Sequence, residues 1–391
     1  MDVRCRHCGA LHWMAEKTAK SSKTNPEFGM CCNHGKVVLA ELKDLPAELT
    51  ELYEGSSADA KEFRKNMAQY NTALSFTSLG VTEDRSINNG GGPPIFRIHG
   101  ELCHRAGALL PSPGQRPTYA QLYIYEPHAA LEHHMQSNSN LRRETMGLLQ
   151  RVIKDHHQYA PLFLHSHEVL ANAADDVSVR LRVAPGVHAR RGNLPTADEV
   201  AVILPNQQSS EPRDIIIRRR NGPLMRISDL HPAYTPLYYV LLFPNGENGW
   251  HENLRINEDK PHPARLTQTR YVAYRLQVRP NKPMTILRGC RLLQRYMVDM
   301  WATADQNRLN YLRFNQPKLR AELYSGLEDA IHAGDEDMDL NELGQRVVLP
   351  SSYIGGPRHM GQRFQDSMAI ARYYRTVDIF MTASIPQTVR I

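Results

Sequence analysis

The sequence predicts an α+β protein: a small cysteine-bearing N-terminal knuckle, a central mixed α/β region with antiparallel strands, and C-terminal helices leading into one more strand. Three observations carry this. Four of the six cysteines fall within the first 32 of 391 residues. Short β-prone runs bounded by Gly, Pro or Asn recur through the middle of the chain, and stretches with apolar residues at helical spacing dominate its last third. With 391 residues, 41% hydrophobic and 23% charged, the chain has room for two or three domains with buried cores. Composition places the divisions at residues 1–45, 46–285 and 286–391. The net charge of +6 is too dilute over this length to mark a nucleic-acid binder, so a local basic patch must carry that case. No apolar run approaches the roughly 18–20 residues of a membrane helix. The start, Met1-Asp2-Val3-Arg4-Cys5-Arg6, is charged and unlike a secretory leader. The expectation is a nuclear or cytoplasmic protein with no membrane partner.

In a reducing compartment clustered cysteines point to metal rather than to disulfides. Cys5-Arg6-His7-Cys8 offers two thiolates on one turn, and Cys31-Cys32-Asn33-His34 offers thiolate and imidazole on a second. Four soft ligands suit tetrahedral zinc. The polar stretch from Glu16 to Phe28 reads as the loop between the two turns. Adjacent cysteines point in different directions, and His7, His12 and His34 are all candidate ligands. The favoured set is Cys5, Cys8, Cys31 and Cys32, with His34 next; the alternative is a packed hairpin of reduced thiols. Some 40 residues hardly build a core alone, so structural zinc would supply most of the folding energy here.

Beyond the knuckle, Leu39 to Tyr53 reads as a proline-interrupted helical lead-in and Asp59 to Tyr70 as an exposed helix. Ala73 to Gly80, Ile95 to Gly100 and Gln121 to Tyr125 read as three strands of one sheet, with the turn Asn88 to Pro94 between two of them. That Gly-rich turn lacks the Gly-Lys-Ser/Thr of a phosphate loop. A helix is expected from Asn140 to His157, and strands at Val177 to Val183 and Val200 to Leu204. Asp214 to Arg218 is expected to form a hairpin with Leu224 to Ile227. Its tip, Arg218-Arg219-Arg220, could clamp a phosphate backbone or, on an edge strand, simply block aggregation. Pro236 to Gly246 is the most apolar stretch and should be core.

From Leu287 to about Ala330 the spacing predicts one or two helices. Arg308, Arg313, Lys318 and Arg320 with Tyr311 and Phe314 make the best basic and aromatic face in the chain. Single-stranded nucleic acid is held by that combination, because arginines track phosphates while rings stack on bases; the competing reading is a solvated helix face. The acidic run Gly334 to Asp339 is expected to be an exposed loop. A helix from Gln362 to Tyr374, with Phe364, Met368, Ala371 and Tyr374 along one side, precedes a strand at Val377 to Thr382.

No complete active site is legible. His165-Ser166-His167 would present two imidazoles on one face of a strand, but no acidic ligand or tyrosine is recognisably placed with it. Tyr373 and Tyr374 lie about 100° apart on a helix, so one of them is expected in the core. Neither a phosphate-binding Gly-x-x-x-x-Gly-Lys-Ser/Thr loop nor a Gly-x-Ser-x-Gly elbow occurs.

Taken together, the motifs resemble the N-terminal part of the replication-initiator and helicase protein of Helitron rolling-circle transposons, in its fungal form. The resemblance rests on Cys5-x-x-Cys8-Gly9-Ala10-Leu11-His12-Trp13 with Cys31-Cys32, Phe76-Thr77-Ser78-Leu79-Gly80, Phe96-Arg97-Ile98-His99-Gly100 with His104-Arg105, Ala120 to Tyr125, and Leu241 to Gly246 with Gly249-Trp250-His251. Val298-Asp299, Asn307-Arg308-Leu309 and Leu349-Pro350-Ser351-Ser352 continue it. It implies a helicase-like domain leading into a nuclease with a metal-binding histidine pair and catalytic tyrosines, then a helicase. Asp378 to Thr382 resembles the first nuclease strand, but the residues after it depart from the Asn-Pro-x-Trp pattern. None of the nuclease or helicase roles maps onto a residue present here. The resemblance therefore implies a truncated, DNA-binding transposon protein without strand cleavage or ATP hydrolysis. The alternatives are a stand-alone zinc-dependent module that binds DNA or protein, and a decayed relic.

Overall fold

In the computed structural model, residues 1–84, 86, 97–99, 102–108, 110–111, 114–171, 177–181, 201–205, 215–218, 224–258, 263–316 and 349–375 are described. The chain divides into two units, residues 1–301 and 302–391. Helices mix with small antiparallel sheets, as the α+β reading requires. The strand expected at Val377 to Thr382, the acidic run at 334–339 and the Gly-rich turn lie outside the described residues.

The first unit opens with a two-stranded ribbon, β1 (Val3–Arg4) and β2 (Leu11–His12), with Val3 opposite His12. Pro46 keeps the following segment from becoming one helix, since a mid-helix proline removes a donor and clashes with the preceding turn. The helical lead-in is accordingly only a 3-10 turn at Ala47–Leu49 and α1 (Thr50–Glu54). Helix α2 (Ala58–Leu74) starts where Ser57 accepts a hydrogen bond from the Ala60 amide. It buries Ala60, Phe63, Met67, Tyr70, Asn71 and Leu74, the stripe that a period of 3.6 residues dictates.

The three strands expected of one sheet are not found as such. Leu74 completes the α2 stripe, so strand structure begins only at β3 (Ser78–Leu79). β4 (Thr82–Glu83) pairs with β5 (Ile98–His99) in a separate two-stranded sheet. Residues Tyr119–Ile124 form a 3-10 helix, because Thr118 and Gln121 make a reciprocal capping box that starts a helical turn. The partners of β3 come from further along the chain: β6 (His104–Ala106) pairs antiparallel with β3 on one side and with a strand at Met225–Ile227 on the other.

Three helices follow, α3 (Pro127–Ser137), α4 (Arg143–His156) and α5 (Ala160–Ala171). A second three-stranded sheet has β7 (Val177–Leu181) at its centre, flanked by β8 (Ala201–Pro205) and β9 (Ile215–Arg218). The expected hairpin is therefore absent: β9 pairs with β7, and β10 (Met225–Ile227) pairs with β6. Both strands satisfy their ladder with partners more distant in sequence.

The core forms around the apolar stretch 236–246, which begins in α6 (Tyr234–Tyr238) and is buried throughout. Buried backbone polar groups need partners. Asn71 supplies two, donating to the Tyr238 carbonyl at 2.8 Å and accepting from the Leu241 amide at 3.1 Å. The unit continues through α7 (Gln268–Arg275) and the start of α8 (Cys290–Phe314), whose Leu292, Tyr296 and Met300 join the same core. In the second unit, α9 (Pro357–Tyr374) buries no residue. Phe364, Met368 and Tyr374 do share its apolar side, yet Tyr373 and Tyr374 are 80% and 69% exposed, so neither is core.

Two histidines packed into the first unit make its stability pH-dependent. His157 donates through Nε2 to the Pro236 carbonyl at 3.1 Å and lies against Phe76, and burial pushes its pKa down to about 3. Burial, then the neighbouring His133, lowers His134 to about 4. Because both folded values lie below the unfolded value near 6.5, the unfolded chain binds the protons first as pH falls. Stability should be fully present above about pH 6.5 and fall toward pH 4, by about 2 kcal/mol per histidine at pH 5. Denaturant melts at pH 7 and pH 5 check this; equal midpoints would contradict it.

Candidate metal centre and nucleic-acid interface

Two turns build the knuckle. In the first, the Cys5 amide donates to the Ala10 carbonyl and the Gly9 amide to the Cys5 carbonyl, both at 2.8 Å. Gly9 takes a φ of +71°, which a residue without a Cβ adopts freely. In the second, Asn33, His34 and Gly35 all have positive φ, which turns the chain so that the Val37 amide reaches the Cys32 carbonyl at 2.9 Å. The Gly35 amide then points at the Cys32 sulfur from 3.2 Å.

These turns bring Cys5, Cys8, Cys31 and Cys32 together, with all four sulfurs within 4.8 Å of one another. Four thiolates about 2.3 Å from a zinc ion form a tetrahedron with edges of about 3.8 Å. The Sγ atoms of Cys5 and Cys32, and those of Cys31 and Cys32, lie 3.8 Å apart. The cluster can hold a metal ion. Its protonation is split in the way crowded thiols require. A hydrogen bond from Cys31 and the nearby Arg279 help pull Cys8 down to about 4, while that same hydrogen bond and burial push Cys31 up. Burial raises Cys32 to about 12. Four anions cannot share this space without a cation, which is what a metal would supply.

The histidines take other partners. His34 faces Glu27 at 3.4 Å, His12 stacks on Phe28 with ring centroids 4.1 Å apart and bonds Glu16, and the Arg6 guanidinium donates to His7 at 3.2 Å. The knuckle rests on distant residues: the Leu11 amide donates to the Val278 carbonyl at 2.8 Å, and Tyr274 packs against the cysteines.

The basic residues are placed less completely. Arg218 ends β9, while Arg219, Arg220, Lys318 and Arg320 lie outside the described residues. Arg308 and Arg313 are exposed on α8, as are Tyr311 and Phe314 at 64% and 79%. At 3.6 residues per turn Arg308 and Arg313 stand roughly 140° apart, so they do not form one stripe. They bracket the exposed arc on which the two rings sit, with Leu312 buried behind. His165 and His167 lie on helix α5 rather than on a strand, so they project to different sides, and Ser166 between them is buried.

A fully buried constellation in the first unit joins three residues that no sequence motif connects. The His104 Nε2 lies 2.8 Å from Asp299 Oδ2, its Nδ1 lies 3.0 Å from the Tyr234 carbonyl, and the Tyr234 hydroxyl donates to Asp299 Oδ1 at 3.1 Å. The carbonyl only accepts, so Nδ1 carries a proton, and one further proton is held between Nε2 and Oδ2. Burial, and then the Asp299 carboxyl, hold the Tyr234 and Tyr239 hydroxyls well above the usual tyrosine range. No solvent reaches these groups, so they tie β6, α6 and α8 together.

Among the described residues no helix is long and apolar enough to cross a membrane. No curated protein matches the chain. Residues 271–387 match the family described as the Helitron helicase-like domain at the N-terminus. The match starts inside α7 and takes in α8 and α9, so the side chains of Tyr296, Asp299 and Met300 that complete the core of the first unit belong to it. Over this segment the sequence resemblance is met: residues 271–387 are similar to the Helitron helicase-like domain.

Proposed function

We propose that this chain is a DNA-binding part of a Helitron-type transposon protein, built on a structural zinc knuckle and engaging single-stranded DNA through the exposed end of α8. The observation that carries the reading is the match of residues 271–387 to the Helitron helicase-like domain. Zinc is supported by the sulfur spacing at Cys5, Cys8, Cys31 and Cys32, which leaves His34 with its carboxylate partner. Zinc here is a folding element, since four cysteine ligands close the coordination sphere and leave no position for substrate. Single-stranded DNA is supported by Tyr311 and Phe314, whose exposed rings can stack on unpaired bases while Arg308 and Arg313 reach phosphates at the two borders. Binding rather than catalysis is the activity proposed.

Binding of a labelled single strand across a salt series tests this. Each phosphate contact contributes about 0.7 to the slope of log affinity against log salt. Replacing Arg308 and Arg313 together by alanine should lower the slope by about 1.4 and weaken binding roughly tenfold at moderate salt. Absence of binding at low salt, or a double variant that binds like the parent chain, would refute the proposal.

A further inference from the structure

We infer that Arg279 is the positioning residue of the metal centre: its guanidinium offsets the charge of the four thiolates and couples metal binding to docking of the knuckle on residues 270–279. This rests on the zinc reading of Cys5, Cys8, Cys31 and Cys32.

Arg279 is only 8% exposed, and a charge so placed is costly unless an opposite charge or a full set of acceptors meets it. Its Nη1 donates to the Tyr274 carbonyl at 2.6 Å, its Nη2 donates to the Cys8 sulfur at 3.7 Å, and its Nε is buried without a hydrogen-bond partner. The guanidinium carbon lies 3.8 Å from the centre of the Tyr274 ring, a cation-π seat that fixes its plane. Among these hydrogen-bond partners, the Cys8 sulfur is the group that can carry negative charge. Four thiolates around one divalent ion leave a doubly negative centre, and Arg279 brings a permanent cation to its edge. A cluster of neutral thiols would leave the same guanidinium buried against a weak acceptor.

The seat is also where the knuckle docks. The Leu11 amide bonds the Val278 carbonyl, Tyr274 packs on the cysteines, and Arg270 donates to the Gly29 carbonyl at 3.1 Å. The ligand set comes from the first 32 residues, and its counter-charge comes from the segment where the helicase-like domain begins. Filling the centre therefore orders both.

Zinc affinity of the full chain, measured by competition with a chromogenic chelator, tests this in Arg279→Met, Arg279→Lys and Arg275→Met. Arg275 is a matched control, because its guanidinium donates to the Ala40 carbonyl at 2.8 Å and lies over the Tyr271 ring. Arg279→Met should bind zinc about 10- to 100-fold more weakly, the usual effect of losing an outer-shell partner. Arg279→Lys should regain part of that loss, and it replaces the methionine variant if that one fails to fold. Arg275→Met should stay close to the parent chain. In cobalt-substituted protein the thiolate-to-cobalt absorption should shift in Arg279→Met and not in Arg275→Met, a readout that lost stability alone does not move. Equal zinc affinity in Arg279→Met and the parent, or equal weakening in Arg275→Met, would overturn the inference alone. A parent chain that takes up no zinc would overturn the centre itself.

Discussion

Removal of metal by a strong chelator, or replacement of Cys5 by serine, will unfold residues 1–38 and leave the helical core in place. The buried cluster of the knuckle consists of Cys5, Ala10, Phe28, Cys31 and Cys32. Burying one phenylalanine contributes about 1.5–3 kcal/mol, whereas ordering backbone costs about 1–2 kcal/mol per residue. Side-chain burial cannot hold such a segment, and ligation, worth on the order of 10 kcal/mol in small zinc modules, can. Contacts to Val278, Tyr274 and Leu266 add support without replacing the metal. Hydrogen exchange measured by mass spectrometry checks the prediction. Amides in residues 1–38 should lose protection on chelation while those of α2 and α4 keep theirs; protection retained throughout would mean that packing alone holds the knuckle.

Replacing Asp299 by alanine should destabilise the first unit by about 3–5 kcal/mol, the cost of leaving a buried partner uncompensated. The loss falls on His104 and Tyr234, which face that carboxyl from 2.8 and 3.1 Å. Asp299→Asn should be far milder. An amide oxygen still accepts from the Tyr234 hydroxyl, its nitrogen donates to Nε2 of a neutral imidazole, and Nδ1 keeps its bond to the Tyr234 carbonyl. Chemical denaturation of the two variants decides the matter. Equal, large losses would show that charge rather than hydrogen-bond satisfaction holds the site.

What could be read from the sequence was local. The Cys5-x-x-Cys8 turn, the buried stretch at 236–246 and helices α4 and α8 announce themselves within a dozen or so residues, whereas residues 59–70 read as an exposed helix although α2 buries Phe63, Met67 and Tyr70. The strands were harder. Ala73 to Gly80 and Gln121 to Tyr125 are apolar runs that look alike whether they close a helix, form a 3-10 turn or enter a sheet, and Thr118 with Gln121 was the signal for the turn. β9 and β10 are close in sequence yet pair elsewhere, which only the long-range ladder decides. His104 and Asp299 are separated by 195 positions, and Cys8 and Arg279 by 271, so no spacing rule joins them. Cys8 stood out as a candidate ligand, but nothing local marked Arg279 as its neighbour or Asp299 as the partner of His104.

In the proposed reading, the order of residues 1–38, the docking seat at Arg279 and the structural role of the knuckle would all depend on four sulfurs meeting one ion. Zinc K-edge X-ray absorption of the purified chain probes that shell directly. One zinc per chain, surrounded by four sulfurs at about 2.3 Å, is the predicted result. A mixed shell with a histidine nitrogen at about 2.0–2.1 Å, or a chain that holds no zinc, would contradict it.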